Sequence, residues 1–152
     1  DMIHKELIQL DLDVDNSDEF FEKMGRILQE KGFVKHTFVE AIKKREAEFP
    51  TALPIEPEPV AIPPTDSKHI IEPFVAPVRL AKPIKWCEMA AKDVEHDVRF
   101  IFMLGIQKAG DHMDLLQLLV ENFQDEQLMN RLAAAEQPDE YMEILLTMKG
   151  LD

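Results

Sequence analysis

Two side chains in this sequence have the type and setting to handle an anion. Arg45 falls in the last turn of a helix predicted over roughly Lys35 to Glu48, and its guanidinium is a planar fork that can hold two phosphate oxygens at once. At the same place it can instead satisfy the negative end of its own helix, and spacing alone favours that role. A stripe of Phe38, Ile42 and Phe49 on the same face draws it toward the interior. His112 follows Asp111, a residue suited to cap a helix, so it falls in a first turn whose free N–H groups attract anions. It serves equally well as a partly exposed histidine at a helix start.

Other chemistries lack their residues. Five histidines and one cysteine show no metal-ligand spacing, and His36 with Glu40 is a single ordinary i, i+4 pair. No metal site and no cofactor are expected. Five glycines form neither a phosphate loop nor a dinucleotide fingerprint, and Ser17 and Ser67 lie in no nucleophile-elbow context. His4, His36 and His96 read as surface residues, and the methionines fall mostly at core spacing on helices.

The elements that must position Arg45 and His112 follow from periodicity. Ile8, Leu10 and Leu12 alternate with polar residues over Glu6–Asp13 as in a half-buried strand. Ser17 is suited to cap a helix carrying Phe20, Phe21, Met24, Ile27 and Leu28, ended by Gly32. Nine of the ten prolines lie between Pro50 and Pro83, which excludes a long helix there. Because that stretch also holds Val60, Ile62, Ile70, Phe74, Val75, Val78 and Leu80, it reads as short edge strands and ordered loops rather than a free linker. Ile84–Met89 is a further strand, and the nearly continuous apolar run Val98–Ile106 is a central buried one. Three helices follow, opened by Asp111, Asp125 and Pro138. This order predicts one α/β domain over 1–152, a layered sandwich of a mixed sheet with helices on both faces.

The 152 residues can bury a real core. No apolar run reaches the roughly 18–20 residues of a membrane span, and no signal-peptide pattern opens the chain, so direct membrane insertion is not expected. The lone Cys87 suits a reducing cytoplasm. A net charge of −13 argues against nucleic acid and favours a basic protein partner or simple solubility.

One pair of strings carries more. Arg45-Glu46-Ala47-Glu48-Phe49-Pro50-Thr51 is followed by Val60-Ala61-Ile62-Pro63-Pro64-Thr65-Asp66, with His69 shortly after. Together they resemble the enzyme IIA domains of the bacterial phosphoenolpyruvate-dependent sugar phosphotransferase system, of the mannitol–fructose class and most like its galactitol-type members. The resemblance continues through Pro77-Val78-Arg79-Leu80, Pro83-Ile84, Phe100–Ile106 and the helix at His112, and so spans nearly the whole chain.

The resemblance implies an α/β sandwich and a cytoplasmic phosphocarrier of sugar transport. Its partners would be the carrier protein HPr and an enzyme IIB. It also implies that the second string should end in a histidine that accepts a phosphoryl group from phospho-HPr and passes it to a cysteine of enzyme IIB. Neutral imidazole suits that work. Here the position is Pro64, which has no nucleophile. Arg45 matches the family's site arginine, and His112 the second site histidine of mannitol-type members. His69 matches a histidine of galactitol-type members, and with Glu46 and Thr65 it is a possible pocket residue. Three readings of Pro64 stay open: a carrier, a non-catalytic relative that docks on the same partners or senses them, and a mutated form of an active parent. The sugar is not legible.

Overall fold

The computed structural model describes residues 2–151, apart from the side chain of Ala109. After a single 3-10 turn at Lys5–Leu7 come β1 (Gln9–Leu12), α1 (Ser17–Glu30) and α2 (Phe38–Glu48). The short strands β2 (Ala52–Leu53), β3 (Val60–Ala61) and β4 (Pro64–Thr65) follow, with a 3-10 turn at Ser67–His69. The long strands β5 (Phe74–Glu88) and β6 (Ala91–Gly105) form a hairpin, and α3 (Ala109–Phe123), α4 (Glu126–Ala134) and α5 (Pro138–Leu145) complete the chain. The sheet is mixed: β1 and β2 run parallel to β5, β3 and β4 parallel to β6, and β2–β3 and β5–β6 are antiparallel.

Strand β6 explains its own composition. Ile101 and Met103 enter the core formed with Phe20, Phe21, Met24 and Leu28 of α1 and Phe38 and Ile42 of α2. Phe100, Phe102 and Leu104 enter the opposite core with Phe123 of α3, Leu132 of α4 and Tyr141 of α5. A strand covered on both faces has no solvent side for polar residues, hence the unbroken apolar run. Gly105 ends it because a Cβ there would lie 2.2 Å from Cε2 of Phe74.

Several boundaries differ from the sequence expectation. The cap of α1 is Asn16, whose side chain accepts from Glu19 N–H; Ser17 is already helical. At the other end Gly32, with φ +85°, lets its own N–H and that of Phe33 donate to the Gln29 and Leu28 carbonyls, a Schellman ending. Helix α2 starts at Phe38 rather than Lys35. Val34 bridges Ile70 and Lys35 N–H donates to the His69 carbonyl, so this segment is committed to an extended pairing first. Helix α3 starts at Ala109 with Lys108 as its cap position, so Asp111 lies inside the first turn rather than before it. The strand near the N-terminus is interrupted: Asp11 takes φ +58° at a register shift, and Leu10 and Leu12 pack on opposite cores.

The proline-rich stretch does contain three two-residue strands, but Pro77 and Pro83 lie within the long central β5. Pro77 falls between the Ile3–Val75 bridge and the Gln9–Val78 pairing. Pro83 falls in the Arg79–Ile84 register shift against β6. Both are positions where a missing N–H costs little in the ladder.

Two polar networks tie the layers. The first is Arg79 on β5, only 4% exposed. Its Nη1 donates to the carbonyls of Leu132 (3.0 Å), Ala133 (3.2 Å) and Ala135 (2.6 Å) at the end of α4, and its Nη2 pairs with Asp11. A buried cation is placed where helix carbonyls concentrate negative charge. Replacing it with methionine leaves those carbonyls bare. Arg79→Met is expected to lose about 3 kcal/mol of stability, read from its urea midpoint.

The second network joins α2 to the sheet. Glu46 accepts from Thr51 N–H (2.9 Å) and Thr51 Oγ1 (2.7 Å), and Trp86 Nε1–H donates to Thr51 Oγ1 (3.1 Å). Burial pushes the Glu46 carboxyl up to about 7, against the lowering effect of the Thr51 bonds. From pH 4.5 to 7 an unfolded Glu46 has lost its proton while the folded one keeps it. Stability therefore falls as pH rises through that window. Glu46→Gln should flatten this segment of the pH–stability profile, a difference on the order of 1–3 kcal/mol between its ends, measurable by denaturant titration at pH 4.5 and 8.

Candidate functional site

The C-terminal ends of β4 and β6 lie side by side, with Pro64 opposite Leu104 and Thr65 opposite Gly105. Beyond them the chain runs from the end of β6 through Ile106 to Lys108 and the start of α3, and α2 packs against β4. These elements enclose a cavity of about 340 Å³ lined by Arg45, Pro64, Thr65, Asp66, Lys108 and His112, with Ser67 and Ile106 completing the wall. Residues from distant parts of the sequence thus meet at the carboxyl ends of two parallel strands, where open α/β sheets commonly place ligands.

Pro64 is buried in β4 with one side toward this cavity. The ladder bonds to Leu104 belong to its neighbours: Leu104 N–H donates to the Pro63 carbonyl at 3.0 Å. In a parallel pair the bridging residue's own N–H points away, so proline here forfeits no bond to β6. Arg45 comes from the last turns of α2. Its Nη1 donates to Asp66 Oδ1 at 3.1 Å, while its Nε is enclosed without a hydrogen-bond partner among the described residues. Arg45 therefore turns toward β4 instead of satisfying its own helix end. The inward stripe assigned to α2 holds for Phe38 and Ile42 but not for Phe49. That residue is the C-cap, outside the helical period, and is 63% exposed.

His112 stands in the first turns of α3 and is part-buried. Burial first, then the positive charge of Arg45, holds its imidazole below the usual histidine range, so the ring is neutral at pH 7. Thr65 is buried and lines the cavity. His69 does not. Its Nδ1 is 2.7 Å from Thr37 Oγ1, and it borders an adjoining cavity of about 310 Å³ that shares Arg45 and Asp66. Glu46, although next to Arg45 in sequence, points to Thr51 and Trp86 and lines a separate cavity beside Lys43 and Cys87. Successive helix residues are rotated by about 100°, so neighbours in sequence do not share a face.

Asp66 and Lys108 are site residues that the sequence reading did not single out. Asp66 closes the Ile-Pro-Pro-Thr-Asp string, and its partnership with Arg45 was legible only once β4 and α2 were adjacent. Lys108 became visible when the start of α3 moved ahead of Asp111. Among the described residues no group of histidine, cysteine or carboxylate side chains could hold a metal ion, and no helix is long and apolar enough to cross a membrane.

Chemically, the cavity offers a guanidinium, an ammonium and a neutral imidazole at a helix start, with a carboxylate already engaging the guanidinium. That set can hold a small oxyanion. It presents no nucleophile at Pro64.

The chain is 28% identical over 119 residues to the galactitol-specific EIIA component of the phosphotransferase system of Escherichia coli O6:H1, covering 78% of each. It is 26% identical over 141 residues to the mannitol-specific phosphotransferase enzyme IIA component of Staphylococcus aureus strain Mu50, covering 90% of each. It spans only 22% of the length of the 2-O-alpha-mannosyl-D-glycerate-specific EIIABC component of Escherichia coli K12, with 27% identity over 149 residues. Among solved structures, nitrogen regulatory protein IIA-Ntr from Neisseria meningitidis superimposes with a TM-score of 0.77 at 26% identity, covering 95% of this chain and 96% of that one. Enzyme IIAMTL, in a complex with phosphorylated enzyme IIBMTL from Escherichia coli, gives 0.78 at 21% identity, covering 96% and 99%. The family model described as phosphoenolpyruvate-dependent sugar phosphotransferase system, EIIA 2, matches residues 1–148, and the chain belongs to that family.

Proposed function

We propose that residues 1–152 form one enzyme IIA-type unit of a cytoplasmic sugar phosphotransferase relay. It meets phospho-HPr and an enzyme IIB at the Arg45–Pro64–His112 cavity, and it is silent as a carrier because Pro64 occupies the acceptor position. The observation that carries this is the placement of Pro64: it lines the same cavity as Arg45 and His112, with the backbone of β4 paired normally to β6. The phosphorylated enzyme IIB bound to a structural relative supports an enzyme IIB as partner.

With histidine at position 64, an imidazole nitrogen would attack the phosphorus of phospho-HPr. A new N–P bond would form as the donor's N–P bond breaks. Arg45 and the amide groups at the start of α3 would bear the negative charge on the phosphoryl oxygens, and His112 could hydrogen-bond one of them. Pro64 supplies no lone pair for that attack. What remains is docking, so a docking or sensing role fits this chain better than transport chemistry.

The test is to incubate the protein and Pro64→His with phosphoenolpyruvate, enzyme I and HPr. The unchanged protein should gain nothing. Pro64→His should gain about 80 Da, one phosphoryl group, as an acid-labile, base-stable adduct mapped to position 64 by mass spectrometry. Labelling of the unchanged protein at His69 or His112 would overturn the silent-site reading. An unlabelled Pro64→His would show that the surrounding site no longer supports transfer.

A further inference from the structure

The site cavity and the cavity beside His69 adjoin through Arg45 and Asp66, and together they gather Lys44, Arg45, Lys68 and Lys108 against Glu48 and Asp66. In a chain of net charge −13 this face is locally reversed in sign. Its cations have spare capacity. Among the described residues Lys44, Lys68 and Lys108 make no ion pair, and Arg45 pairs only through Nη1, with Asp66. Phe49, 63% exposed, lies on the wall of the second cavity. A free anion would leave that ring in water, whereas a protein surface would cover it.

Resting on the phosphotransferase reading above, we infer that this face reads a phosphoryl group carried by a partner protein. The group stays on the partner's side chain and enters the cavity between Arg45, Lys108 and His112, so the chain binds the phosphorylated partner in preference to the unphosphorylated one. In a chain with a nucleophile at position 64 that complex would discharge itself by transfer. Pro64 removes this exit, and the charge-assisted bonds to the phosphoryl oxygens persist for the lifetime of the complex. Asp66 is the opposing charge in the cavity. Its side chain is 63% exposed and among the described residues it bonds only to Arg45, so it can swing to water when a dianion takes its place.

The experiment is an NMR titration of the isotopically labelled full chain with HPr, and with HPr kept phosphorylated by enzyme I and phosphoenolpyruvate. The phosphorylated form should bind roughly tenfold more tightly, with the largest shifts at Arg45, Lys108 and His112. Arg45→Gln and Lys108→Gln, each checked for a native spectrum, should bring the two affinities together. Equal or weaker binding of the phosphorylated form would overturn the inference while leaving docking in place. Absence of binding to either form would remove both. Inorganic phosphate giving the same shifts at the same affinity would assign the cavity to a free anion and overturn the protein-borne reading.

Discussion

The site depends on one short piece of backbone, the parallel pairing of Pro64 and Thr65 with Leu104 and Gly105. Two residues of strand are little by themselves. Their position is held because β6 is anchored along its length by β5 on one edge and by cores on both faces. Each buried large side chain of β6 contributes roughly 1.5–3 kcal/mol of apolar burial, and a slip of one residue would exchange the two faces. The register of β6 therefore fixes where β4 ends, where α3 begins, and the gap between them that Arg45 enters. Gly105 is the tightest point of that arrangement, because the Phe74 ring occupies the space a side chain would need.

Electrostatics at the cavity run against the chain as a whole. A net charge of −13 invites the idea of a basic partner drawn in by the bulk field. Charges more than about 8–10 Å apart on the surface are largely screened at physiological salt, so an incoming group responds to what lines the cavity. There it meets Arg45, Lys108 and the start of α3, with the single carboxylate of Asp66 against them. The acidic excess lies elsewhere, and parts of it pair locally, as Asp13 and Asp15 do with Lys82 and Asp139 with Lys5. Total charge is thus a statement about solubility and long-range approach, while the sign of the site is set by a few residues that three elements bring together.

Much of the layered plan was legible in the sequence because its signals are periodic. The apolar run of β6 demanded a strand buried on both faces, and Asp125 and Pro138 stand where helices α4 and α5 begin. What was not legible turned on non-local competition. Nothing near Lys35 says that it will pair with His69 before α2 can start, and Asp111 resembles a cap although the chain turns helical two residues earlier. Phe49 continues the helical spacing of Phe38 and Ile42, but α2 has already ended there. At the site, Arg45, Pro64, Thr65 and His112 could be named from their strings, and the structure places them around one cavity. Glu46 could not be placed, because adjacency in sequence puts it on a different face of α2 from Arg45.

Pro64 also separates two properties that usually travel together. A residue paired in a ladder is ordinarily a poor place for proline, since a lost N–H can be a lost bond. At this position the bonds to β6 are made by the flanking peptide groups, so histidine and proline ask the same of the backbone. The pairing of β4 with β6 needs no rearrangement between the two. On the proposed reading, the capacity to accept a phosphoryl group then rests on one side chain, while the capacity to meet a phosphorylated protein is spread over Arg45, Lys108, His112 and the exposed ring of Phe49. A single substitution can silence the first and leave the second standing, because none of the interactions that build the docking face passes through the imidazole that is missing.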